Sequence, residues 1–417
     1  MLRLHMLALP HTITTDEFSH CAFTGKVLRF SPMMVSRGFE VYHYGVETST
    51  PKATKHIDVL SKKEWEDLRV ESYQFLHPEI TMEDSRNHLN DAKNFVGDLG
   101  NCTTPLYRDF NKKLHPLLKE NYRSCATDLV CLPFGRAHDP ALHGLNVVCV
   151  ESGIGYPDSY QNFRIFESYC KLHMAIMKDQ KHCQHYWFVI PNYYDILEWP
   201  LNLNPDKKTI GYFGRICYIK GLNIFVEMAV RFRHIDFVIC GQGDPLPYID
   251  NHPNIFYKAP IHGKDRGLFL SSLTALVAPS MYAEPFCGVN VEAQICGTPV
   301  ITNDFGAFVE TVEPFKTGML CHTLGDFCKA TQMALDGEFD RQYIHDRAVR
   351  KYDMYNVAKQ YEYAFKNILD VNNGKSGWYS KECYIDLLRE EPNNTKNNMN
   401  INESSESNVK IEVIELS

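Results

Sequence analysis

The stretch TIGYFGRICYIKGLNIFVEMAVRFRHIDFVICGQG, residues 209–243, decides how the chain is read. Thr209 to Phe213 is a short apolar run that predicts a buried strand, and the loop after it contains Gly214. Leu222, Phe225, Val226, Ala229 and Phe232 then recur at helical spacing. His234 to Cys240 predicts the next strand, closed by the turn Gly241-Gln242-Gly243. The same rhythm continues through predicted strands at Ile255 to Tyr257, Leu273 to Ala278 and Thr298 to Thr302. Strand, helix and strand in this order mean a parallel sheet covered by helices on both faces. Right-handed crossovers then gather the ligand-binding loops at the carboxyl ends of the strands.

Working outward, the first half repeats the theme less clearly. Leu2 to Leu9 predicts a first buried strand, Gly25 to Ser36 a helix and Phe39 to Tyr44 a second strand. Leu129 to Leu132 and Val147 to Val150 are further apolar runs of the kind parallel sheets bury. Arg164 to Met177 alternates at helical spacing, and Val189 to Asn192 ends a strand before a Pro- and Asn-containing linker to Pro205. The expected fold is α/β, two Rossmann-like domains facing across a cleft. The expected domains are residues 1–192, 193–345 and a pair of C-terminal helices, 346–389, that return to the first domain. Residues 390–417 (EEPNNTKNNMNINESSES and beyond) have almost nothing apolar to bury and read as a disordered tail.

Composition narrows the function. A chain of 417 residues suits two domains, and 44% hydrophobic with 23% charged residues is ordinary for a globular protein. A net charge of −8 leaves no basic surplus for nucleic acid. No apolar run reaches the roughly 18 residues needed to span a bilayer. The start, MLRLHMLALPHTITT, is interrupted by His5 and has no small-residue cleavage site, so it reads as a strand rather than a signal peptide. Fourteen cysteines are scattered without a C-x-x-C pair, which suits a reducing, cytoplasmic setting. His182, Cys183 and His185 cluster without a second ligand pair, so no metal site is expected there.

Three constellations carry chemistry. In the first, Gly214 permits a sharp turn after a strand, and Arg215 and Lys220 precede a helix opened by Gly221. Two cations beside a helix N-terminus suit a diphosphate. In the second, AEPFCGVNVEA (283–293), Glu284 lies just past a buried strand, Gly288 opens a helix with free N–H groups, and Glu292 stands one turn in. Carboxylates there accept hydroxyls while the N–H groups receive phosphate oxygens. The third, Cys296 to Thr302 followed by Asp304-Phe305-Gly306-Ala307, returns the chain to the sheet and offers the Gly306-Ala307 backbone to a ligand.

Together, Gly214-Arg215…Lys220-Gly221 (G-R-x4-K-G) and Glu284-Pro285-Phe286…Gly288…Glu292 (E-P-x2-G-x3-E) resemble the donor-site motifs of the retaining glycosyltransferases of the GT-B fold, glycosyltransferase family 4. The resemblance is specific from about Thr209 to Leu320 and looser over residues 1–190. It implies transfer of a sugar from a nucleotide diphosphate donor (UDP-, GDP- or ADP-type) to a carbohydrate or other hydroxyl acceptor, with neither metal nor other cofactor. Arg215 and Lys220 would hold the diphosphate. Glu284, with the backbone of Phe286, Cys287 and Gly288, would position the donor sugar, and Glu292 the ribose. The base would lie near Ala259-Pro260-Ile261, and Val289 would pack beside the nucleotide. The final helix would cross back to the first domain.

The first domain departs from that pattern. Its first strand-to-helix loop, His11 to Lys26, holds a single glycine, Gly25, where many family members have two. Thr12, Thr24 or backbone donors could substitute. Candidates for a first-domain group against the sugar are His20, His138 and His143, with Glu151 at the end of a strand for sugar or acceptor. Two rival readings are a non-catalytic nucleotide-sugar-binding protein of the same fold and a Rossmann-type oxidoreductase. The latter wants a G-x-G-x-x-G turn that the opening residues lack.

Overall fold

A computed structural model describes residues 1–375 apart from His20, 91–95, 180–182 and 185. Most of the short apolar runs become strands. The first sheet contains β1 (Arg3–Leu7), β2 (Glu40–Val46), β3 (Lys55–Leu60), β4 (Asp128–Leu132), β5 (Cys149–Ile154), β6 (Phe163–Phe166) and β7 (Trp187–Val189). Their order is β3-β2-β1-β4-β5-β6-β7, and every pairing is parallel, Leu4 lying between Val41 and Leu129. The second sheet has β8 (Thr209–Phe213), β9 (Asp236–Cys240), β10 (Ile255–Lys258), β11 (Ala275–Ala278), β12 (Val300–Asn303) and β13 (Gly318–Cys321), again all parallel, in the order β10-β9-β8-β11-β12-β13. The strand order reverses between β1 and β4 in one lobe and between β8 and β11 in the other. Such switch points open crevices at the carboxyl edge of a sheet.

The physical reason for parallel pairing is burial on both faces. All residues of β4, β5, β11 and β12 are buried, so these strands carry no polar alternation. Helices cover them with one apolar stripe each: Leu222, Phe225, Met228 and Ala229 are the buried residues of helix Leu222–Arg231.

Two helices, Arg341–Tyr352 and Met354–Asn372, follow the second sheet. The last one places Val357, Ala358, Tyr361, Phe365 and Ile368 in the core of the first lobe. There Tyr361 meets Phe30 edge-on at 5.8 Å, and Phe365 meets Phe39 at 6.1 Å. The expected return of the C-terminal helix is therefore present. The chain crosses between lobes at Tyr194 and again at Asp353, and the crossings are stitched together: the Tyr194 N–H donates to the Tyr352 carbonyl, and the Met354 N–H to the Tyr194 carbonyl, both at 2.9 Å.

Some local expectations need correction. The first helix begins at Ala22, three residues before Gly25. Arg164 to Met177 is not one helix: β6 occupies Phe163–Phe166, and a helix starts only at Tyr169. Ile165 and Phe166 are wholly buried strand residues whose apolar spacing happened to continue that of the helix. Strands β3 and β13, and the helices Lys62–Leu76, Met82–Asn90 and Pro105–Asn121, were not anticipated. The expected tail lies outside the described residues.

Candidate active site

The loops at the carboxyl edge of the second sheet converge on one another. Arg215 and Lys220 stand after β8, Pro260 and Ile261 after β10, Glu284 after β11, and Gly306 after β12. Backbone bonds lock the loops in register: Gly214 N–H donates to Cys240 O at 3.0 Å, Met281 to Ile219 at 2.9 Å, and Ala307 to Glu284 at 3.2 Å. Gly221 is required by geometry. It has φ +71°, and a β-carbon there would come within 1.9 Å of the Pro279 carbonyl oxygen.

At the centre, the Lys220 ammonium pairs with Glu284 Oε1, which also accepts a 2.9 Å hydrogen bond from Ser280 Oγ. Glu284 is buried and Lys220 half-buried, so this is a shielded pair whose charges are strong at short range. Arg215 is exposed, and its guanidinium forms no ion pair among the described residues. The site thus offers one uncommitted cation, one lysine balanced by a carboxylate, and the N-terminus of helix Gly288–Ile295. Cys287, just before that helix, adopts φ +64°, an unusual conformation for a residue with a side chain. Its thiol is pushed well above the ordinary range by burial, with Glu284 adding to the effect. Phe286 is buried against Tyr352, so it offers its backbone rather than its ring. Gly288 and Val289 are half-buried on the same turn.

Glu292 is more enclosed. Burial raises its carboxyl pKa, opposed by Arg266 and then Arg29, and Arg266 pairs with it directly. The Arg266 guanidinium lies 4.8 Å over the Phe213 ring. Arg29 comes from the first lobe and bonds Glu198 at 3.2 Å, while Tyr194 OH reaches the Gly288 carbonyl at 3.4 Å. Arg266, Arg29, Tyr194 and Ser280 were not anticipated. The partners of Arg266, Arg29 and Tyr194 are distant in sequence, so no local spacing signals them; Ser280 lies four residues before Glu284, just past the strand end.

The lobes are also tied across the site. Ser168 Oγ of the first lobe donates to the Pro285 carbonyl at 2.5 Å. Glu310 accepts from the N–H groups of Tyr169 and Cys170 at 2.8 and 2.7 Å, capping the helix Tyr169–Asp179 from the opposite lobe.

Residues 195–344 match the family model described as glycosyl transferases group 1. This segment is a group 1 glycosyl transferase domain. Within it lie β8 to β13 and the whole Arg215, Lys220, Glu284 and Glu292 set. Alpha-maltose-1-phosphate synthase of Mycobacterium tuberculosis is 30% identical over 150 residues, covering 32% of this chain and 38% of that protein. The chain matches less than half the length of such curated relatives. Sucrose-phosphate synthase from Thermosynechococcus elongatus superposes with a TM-score of 0.60 at 14% identity, over 89% of this chain and 100% of that one. The Anabaena protein HepE, solved in complex with UDP-glucose, gives 0.56 at 13% identity, over 88% and 100%. The similarity to these structures extends over both lobes, and the architecture is the GT-B fold.

The first-lobe candidates stand differently from the glycosyl transferase domain's own. Thr12 and Thr24 are buried and bond each other at 2.5 Å. Gly25 lies in the first turn of its helix, and a β-carbon there would come 3.2 Å from the Ser19 carbonyl oxygen. His138 is buried between Asn111 Oδ1 at 2.9 Å and the Ala8 carbonyl at 3.0 Å, and burial lowers its pKa to about 4. His143 is exposed, and His20 lies outside the described residues. Glu151 corrects the expectation of a cleft-edge contact. It is fully buried and accepts from the N–H groups of Tyr160 and Gln161 and from Tyr156 OH, so it anchors the 156–161 loop. Of the His182, Cys183 and His185 cluster, where no metal site is expected, His182 and His185 also lie outside the described residues.

Proposed function

We propose that the chain is a retaining glycosyltransferase that moves a sugar from a nucleotide diphosphate donor to a hydroxyl acceptor, and that it works without a metal ion. One observation carries this reading: an exposed Arg215, the Lys220–Glu284 pair and a helix N-terminus meet at the switch-point edge of a group 1 glycosyl transferase domain. The donor's diphosphate would sit against Arg215, Lys220 and the first N–H groups of helix Gly288–Ile295. Glu284 would then turn toward sugar hydroxyls and Glu292 toward the ribose, with Pro260 and Ile261 beside the base. A UDP-type donor is favoured by the likeness to the UDP-glucose-bound HepE.

In the reaction, the bond from the anomeric carbon to the diphosphate oxygen breaks as the acceptor oxygen bonds that carbon on the same face. The acceptor's proton passes to the leaving diphosphate. Negative charge grows on the leaving group, and fixed cations aimed at it lower the barrier. Their charge does the work that a metal ion would do elsewhere. The inter-lobe ties at Ser168 and Glu310 hold the closed arrangement that excludes water from the donor.

Among the described residues no helix is long and apolar enough to cross a membrane, and all 13 described cysteines are free. The free thiols support a cytoplasmic setting.

The test is a panel of UDP-, GDP-, ADP- and dTDP-sugars offered with EDTA to wild type and Glu284→Ala. The reading expects one donor to be hydrolysed slowly by the wild type and spared by the variant. Binding without turnover would point to a sugar-nucleotide-binding protein instead, and no binding at all would sink the assignment.

A further inference from the structure

The first lobe holds a pocket that the donor chemistry leaves unused. It is a half-open hollow of about 460 Å³, within the range of roughly 300–1,000 Å³ typical of small-molecule sites. Three successive strand ends build it. Ile13 and Phe18 come from the loop after β1, Thr48 from the loop after β2, and Trp65 and Arg69 from the helix Lys62–Leu76 after β3. This is the carboxyl edge of the first sheet, where an open α/β sheet receives ligands.

Trp65 forms a fixed wall: it is 3% exposed, its indole N–H donates to the Pro10 carbonyl at 2.8 Å, and its ring meets Phe18 edge-on at 5.8 Å. The Arg69 guanidinium lies 4.4 Å over that ring. Its Nε is buried without a hydrogen-bond partner, and the side chain forms no ion pair among the described residues. Arg69 is half-buried, and burial pushes its pKa down with Glu66 opposing the shift. Two further cations line the same space on loose tethers. Lys62 stands 3.9 Å from Glu66, and Arg86 stands 3.8 Å from Asp67, both at the outer limit of ion pairing.

We propose that this pocket binds the phosphate or carboxylate of a small hydroxyl-rich molecule, gripped by Arg69 with Arg86 and Lys62 beside it. Planar guanidinium groups suit such anions through paired N–H donors. Glu17 and Glu66 also line the space, so they accept hydroxyls and oppose a polyanion. A single anionic group on a sugar or polyol fits this arrangement. Naming that molecule as the acceptor rests on the glycosyltransferase reading; the anion site itself does not.

Calorimetric titration of the full chain with glucose 6-phosphate, glucuronate and glucose tests the idea and separates phosphate from carboxylate. At least one anionic sugar should bind, with glucose much weaker. Arg69→Gln should weaken that binding tenfold or more and Arg86→Gln severalfold, while Lys220→Gln leaves it unchanged. Thermal melts check that Arg69→Gln is folded, and the exposed Arg86 supplies the second variant. Absence of binding by both anionic sugars, or binding indifferent to Arg69 and Arg86, overturns the proposal. UDP-glucose titrated in parallel keeps the two readings apart. Loss of donor binding with Arg69-dependent sugar-phosphate binding intact would remove the donor reading and leave the pocket, and the reverse would remove only the pocket.

Discussion

Both sheets end in polar loops at their carboxyl edges, but the two switch points treat their polar groups in opposite ways. Near the switch point of the first lobe, Thr12 is spent on Thr24, His138 on Asn111 and Ala8, and Glu151 on the 156–161 loop. In the second lobe, Arg215 faces solvent, and Lys220 and Glu284 hold each other in a pair that an incoming diphosphate could reorganise. A group saturated by the fold has nothing left for a ligand, whereas a charge paired with another mobile charge has. Residue type alone does not distinguish the two cases. The partner list does.

The largest effect that would sharpen this comparison is expected from Lys220→Ala. It removes a cation from the leaving group and strands Glu284, so kcat should fall about 100- to 1,000-fold in a donor-hydrolysis or transfer assay. A rate near wild type would mean that the pair is only structural. Arg266→Ala should act on stability instead. It leaves the enclosed Glu292 carboxylate without its direct partner, and urea unfolding should show a loss of about 3 kcal/mol.

A smaller loss, about 1 kcal/mol, is expected from Glu310→Ala, which uncaps the helix at Tyr169 and unties the lobes. Small-angle scattering should show a larger radius of gyration, and an unchanged radius would deny Glu310 a role in closure. The smallest effect concerns the second chain crossing. Burial, with Asp195 adding to it, raises the Asp353 carboxyl to about 6 from an ordinary 3.8. The folded state therefore holds that proton more tightly than the unfolded chain. Its contribution is complete below the ordinary aspartate value and is lost as pH rises through about 6. Asp353→Asn stays neutral and keeps an acceptor for the Tyr355 N–H. Its Tm should gain on that of the wild type between pH 4 and pH 7, and a pH-independent difference would refute the assignment.

The same contrast explains what was legible in the sequence. Strand β8 was read with its observed bounds, and the helix at Gly288 with its start, because glycines and prolines punctuate the second lobe where loop meets helix. Among the described residues of 55–121 lie β3 and the helices Lys62–Leu76, Met82–Asn90 and Pro105–Asn121, and they passed unread although Pro105 opens the last of them. The stretch after Arg164 was misread because a strand buried from Arg164 to Phe166 lacks the alternation that separates strand from helix. In the site, Lys220 and Glu284 were drawn to one edge by their strand-end positions. Arg266 with Glu292 and Glu310 with Tyr169 depend on tertiary packing, which local spacing does not encode.

The most direct test of the account is calorimetric titration of UDP with EDTA present, comparing wild type, Lys220→Ala and His138→Gln. The account predicts a metal-independent complex that Lys220→Ala weakens at least tenfold and His138→Gln leaves intact, even if the latter lowers Tm. Dependence on His138 with indifference to Lys220 would contradict it, because binding would then turn on a histidine already spent on Asn111 and Ala8.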